Sequence, residues 1–123
     1  MKKHFLPFVM ILFCGMMVAC SKENEQHLAG PVTPVCDTVN MKLAANITPI
    51  FRDNCYNCHG NGNSDGSVRL DVYNNLQTRA LSGKLLAALT HTGPYPMPKG
   101  GAKLSDCDIN KIKAWIDRGA LNN

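Results

Sequence analysis

Two thiols and an imidazole stand together at Cys55-Tyr56-Asn57-Cys58-His59. This is one copy of C-x-x-C-H, the arrangement that attaches haem covalently. Each thiol adds across a vinyl group to make a thioether, and the neighbouring imidazole becomes the proximal iron ligand. A gap of two residues lets the sulfurs reach adjacent vinyls while the histidine swings beneath the ring. A thioredoxin-like redox pair needs a surrounding βαβ pattern, which this chain lacks. A zinc site needs a second C-x-x-C or a paired-histidine motif, and none follows. A structural disulfide across two residues is tight and leaves His59 unexplained.

A six-coordinate iron needs a second axial ligand. Four of the six methionines fall in the first 17 residues, which leaves Met41 and Met97; beyond the leader the histidines other than His59 are His27 and His91. Met97 lies between Pro96 and Pro98, which hold the backbone extended and stiff. A thioether there can be aimed at iron without a helix behind it, so Met97 is the expected sixth ligand. His91, six residues upstream, is the competitor. It also reads as a surface histidine near the end of a helix. Met41 is close before Cys55 and is expected on the proximal side. His27 falls in a polar stretch.

The elements that position these residues read as helices. Thr48-Pro49 has the form of a helix start, with Thr as N-cap and Pro at the first helical position. That helix delivers the C-x-x-C-H motif. Gly60 to Gly66 is a turn-rich loop. Asp71 and Ser82 are candidate caps for two short helices, through Leu76 and Leu89. Gly93 to Gly101 holds three prolines and three glycines and is neither helix nor central strand. Ser105 and Asp108 suggest a capping box, and Ile109, Ile112, Trp115 and Ile116 share one face of the last helix. Gly119 is its stop. Strand alternation is absent, so the domain is expected to be all-α.

The leader sets the compartment. Lys2 and Lys3 precede an apolar run from Phe5 to Val18, too short for a comfortable membrane span. Val18-Ala19-Cys20 resembles the lipobox of bacterial lipoproteins, with Met17 where Leu is commoner. The expected organisation is a signal peptide at 1–19, a flexible tether at 20–35 and a haem domain at 36–123, with Cys20 carrying lipid. The alternative is an ordinary secretory signal cut elsewhere. Lys2 and Lys3 supply two of the four net positive charges of the 123-residue chain. What remains offers no case for nucleic acid.

The order of helix, C-x-x-C-H-G, glycine-rich loop, Pro-Met-Pro and a Leu-Ser-x-x-x-Ile-x-x-Ile-x-x-Trp-Ile helix resembles class I cytochrome c domains. In particular it is similar to small lipoprotein cytochromes c of Bacteroidetes type. The resemblance spans about residues 36–121. It implies a small helical domain wrapped around one covalent haem c, with Cys55, Cys58, His59 and Met97 as the cofactor-binding residues. It also implies that Trp115 packs against the helix containing Phe51. An extra cysteine pair, Cys36 and Cys107, departs from the pattern. Lipid takes one cysteine and haem takes two, so parity in an oxidising compartment favours a disulfide between these two. Cys107 falls off the Ile109/Trp115 face of the last helix, where it can pin the incoming chain. Two unpaired thiols, or an intermolecular link, are the alternatives.

The function expected is that of an extracytoplasmic, membrane-anchored one-electron carrier, not an enzyme. It would be a monomer that docks briefly with redox partner proteins. Lys99 and Lys103 flank the methionine loop and are placed to steer an acidic partner. A haem peroxidase or oxidase subunit, or a haem-based sensor with an open or His-ligated sixth site, is the competing reading.

Overall fold

A computed structural model describes residues 35–123. The leader, Cys20, His27 and the tether through residue 34 lie outside the described residues. Within them the secondary structure is entirely helical, with no strand. A widened turn, Leu43–Ile47, runs into α1 (Thr48–Asn54). One further turn, α2 (Tyr56–His59), carries the thiols and imidazole. After a short tight turn at Asp65–Ser67 come α3 (Tyr73–Leu81), α4 (Lys84–Leu89) and α5 (Asp106–Asp117).

The start of α1 differs from the expected one. Thr48 is not an N-cap; it lies inside a helix that begins at Leu43. Pro49 has no N–H to give, and the turn before it opens. The Ile47 and Thr48 amides donate five residues back, to Lys42 O and Leu43 O. The cap comes from the far end of the chain. Leu43 N–H donates to Asn123 Oδ1 at 2.9 Å, and Ala44 N–H donates to Asn123 O at 3.0 Å.

Two other boundaries also move. Asp71 does not cap α3, whose N-cap is Val72; it is drawn into an ion pair described below. Ser82 closes α3 and does not open α4, which starts after Gly83 in a left-handed conformation. The last helix follows its pattern closely. Ser105 Oγ accepts the Asp108 N–H at 3.0 Å, one half of the capping box. At the other end Gly119 N–H donates to Ile116 O and Ala120 N–H to Trp115 O, with Gly119 at φ +92°. This is a Schellman ending, which needs a residue that tolerates positive φ.

One hydrophobic cluster holds these pieces together, with Trp115, Phe51, Ile47, Leu76 and Ile112 its largest fully buried side chains. The helix α5 packs against the Leu43–Ile47 turn and against α4. Trp115 and Phe51 share this core, but α5 meets the first helix chiefly at its opening turn, upstream of Phe51. Trp115 is 1 % exposed, and its indole N–H donates to Leu121 O at 2.9 Å. That bond satisfies the one polar atom of an otherwise apolar side chain. Cys36 and Cys107 form a disulfide, with Cα atoms 5.5 Å apart.

Candidate haem site

The site is built on the continuation of α1. Cys55 N–H donates to Phe51 O at 2.7 Å, so the chain leaves the buried helix directly into the motif. Cys58 N–H and His59 N–H both donate to Cys55 O, at 3.1 and 2.8 Å. That single turn places both thiols and the imidazole together. Neither thiol is in a disulfide; Cys55 is half-buried against the core and Cys58 is exposed. Burial pushes the Cys55 thiol up to about 11. A reactive redox pair depends on a thiol pushed down, so this environment is the wrong one for thioredoxin-like chemistry. Among the described residues no group of three or more His, Cys, Asp or Glu is placed to hold a bare metal ion.

His59 supports the fit to haem. Its Nδ1 is buried without a partner, and no hydrogen bond to either ring nitrogen occurs among the described residues. A buried imidazole nitrogen left unpaired is costly unless a bound group uses the ring. Two unpaired thiols beside such a ring are the donor set that a covalent haem requires.

The loop after His59 is locked from behind. Gly60 is extended and buried, and a Cβ there would fall 2.7 Å from Tyr56 Cγ. Glycine is therefore needed for close approach and not for its dihedral freedom. Leu70 N–H donates to His59 O at 2.7 Å. Arg69 grips Asp71 through two bonds of 2.7 Å, Nε to Oδ1 and Nη2 to Oδ2. Asp71 Oδ2 also accepts the Asn61 N–H at 3.1 Å. The Arg69 guanidinium holds the Asp71 carboxyl below its ordinary value. Sequence reading missed this clamp, because Arg-x-Asp carries no signal until the loop folds back on His59.

Met97 lies on the loop after α4. It is half-buried but is not among the side chains packed against the core. Its N–H donates to Ala88 O at 3.0 Å, and its carbonyl oxygen lies 2.9 Å from His91 Nε2. His91 is exposed, with that nitrogen engaged. Met41 is buried in the core and lines a cavity of about 240 Å³ with Lys42, Trp115, Arg118 and Leu121, so it is a packing residue. None of the C-x-x-C-H residues lines that cavity. Of the two lysines expected to steer a partner, Lys103 is held by Asp106 at 2.8 Å, while Lys99 is exposed and in no ion pair among the described residues.

No curated protein and no solved structure matches the chain. A family model described as cytochrome c oxidase, cbb3-type, subunit III does match, over residues 42–116. The match covers more than half of the chain, including Cys55, Cys58, His59 and Met97. It accounts for the helical architecture and for a covalent haem c, and this chain therefore belongs to that family of class I cytochrome c domains.

Proposed function

We propose that the protein is a lipid-anchored, single-haem electron carrier in which Met97 completes the coordination opposite His59. The observation that carries this reading is the single turn at 55–59, where two unpaired thiols precede an imidazole with no hydrogen-bond partner among the described residues. Bound there, haem c supplies a one-electron Fe(II)/Fe(III) couple. Cys55 and Cys58 fix its position, and His59 supplies the proximal nitrogen. Met97 is favoured over His91 for the opposite side. Its thioether is not used by the core, whereas His91 Nε2 is engaged by a carbonyl. Protein ligands on both sides leave no vacant position for oxygen or peroxide, which favours electron transfer over catalysis. A thioether ligand also raises the potential relative to two histidines.

The anchor rests on Met17-Val18-Ala19-Cys20, and the membership in a family of usually extracytoplasmic domains agrees with export. Redox partners would dock briefly on the methionine side, where Tyr95 is 76 % exposed and Lys99, on the same loop, is also exposed. The family description supports a second reading, in which the chain passes electrons to an oxidase within an assembly. Its own chemistry is one-electron transfer in both.

Optical spectra of the purified haem-loaded protein test the proposal. The expected result is a low-spin spectrum in both oxidation states, with a sulfur-to-iron charge-transfer band in the ferric form that Met97→Ala abolishes. A high-spin native spectrum with rapid peroxide turnover overturns it. For the anchor, Cys20→Ser is expected to move the protein from the membrane fraction to the soluble fraction; an unchanged distribution rejects lipidation at Cys20.

A further inference from the structure

We propose that His91 is a positioning residue that clasps the Met97 loop onto the end of α4 and sets how readily the thioether leaves iron. This rests on the reading of Met97 as axial ligand. Pro96 and Pro98 have no N–H, so the Met97 amide is the one donor that stretch offers. Both sides of Met97 are anchored within four residues of α4's end. Its N–H caps Ala88 O, and its carbonyl accepts a hydrogen bond from His91 Nε2–H. The neighbouring turn is itself braced, with Thr92 and Gly93 N–H both donating to Ala87 O at 3.0 Å. The clasp therefore has a fixed base to pull against.

The backbone of His91 is the second observation. It sits at φ +59°, just past the C-cap Thr90 of α4. That is the position where helices most often place glycine, because a Cβ is crowded in the left-handed region. A histidine there accepts a backbone cost that glycine would avoid, and its side chain makes the one bond glycine could not. Position 91 therefore separates two effects that usually move together. Glycine should relieve the backbone and release the loop.

The test compares haem-loaded wild type with His91→Gly, His91→Gln and Met97→Ala. Imidazole is titrated against the ferric proteins, and its binding is followed by loss of the sulfur-to-iron band. Thermal unfolding is measured alongside. His91→Gly is expected to bind imidazole roughly three- to tenfold more tightly, the shift expected from losing one hydrogen bond, with a Tm no lower than wild type. His91→Gln, whose amide nitrogen reaches a similar place, should restore most of the wild-type affinity. Unchanged imidazole affinity in His91→Gly overturns the proposal while leaving Met97 as ligand. So does a Tm that falls in step with the tighter binding, which would mark a merely structural role. A charge-transfer band absent from wild type, or retained in Met97→Ala, removes both readings together.

Discussion

Asp71 is one side chain outside the C-x-x-C-H motif that braces the chain around it. Its carboxylate joins Arg69 to the Asn61 amide, and so ties the segment after His59 to the segment that hydrogen-bonds His59 O. The pair is partly open to solvent, so its worth is screened. Its pH dependence has a definite sign. Because the folded carboxyl lies below the ordinary value of 3.8, the stabilisation is present above that value. It is lost as pH falls through the lowered folded value. Urea midpoints measured from neutral pH downward should show Asp71→Asn less stable than wild type near neutrality, with the gap closing below about pH 4. A gap that stays constant with pH would mean that the carboxylate charge contributes nothing.

At the scale of elements, the first helix shows what local sequence can and cannot specify. Thr48-Pro49 has the composition of a start, yet the helix begins six residues earlier, with Lys42 as N-cap. Propensity alone would not begin a helix there. The first amides of the helix, at Leu43 and Ala44, have no partner within it and are satisfied by Asn123, 80 positions beyond Leu43. A partner at that distance is invisible to any window of local sequence. Asn123→Ala is expected to cost about 0.5–2 kcal/mol, the range of a lost helix cap. Amide hydrogen exchange should then quicken first at Leu43, before the core helices respond. By contrast α5 was legible almost residue by residue. Its cap, apolar stripe and glycine stop are all local features that agree with one another.

For the whole molecule, the segment from Cys36 to Asn40 acts as a strap along α5. Cys36 is bonded to Cys107 near the start of the helix, and Asn40 Oδ1 lies 3.5 Å from Arg118 Nη1 at its end. The disulfide closes a separation of 71 residues, and its removal should cost on the order of 2–4 kcal/mol. Thermal unfolding of the Cys36→Ser/Cys107→Ser protein is expected to show a Tm lower by roughly 10–30 °C. A shift of only a few degrees would mean that non-covalent contacts hold the strap. The sequence by itself determined the helical class, the last helix, and the candidate haem turn at Cys55, Cys58 and His59, because each is specified by spacings of a few residues. Cysteine parity also singled out Cys36 and Cys107 as the candidate pair. Tertiary structure alone decided what braces that turn and what surrounds Met97. The Asp71 clamp, the Asn123 cap and the His91 contact each depend on loops folded back against helices. Such contacts are made by chain closure and burial, which leave no periodic mark in the sequence.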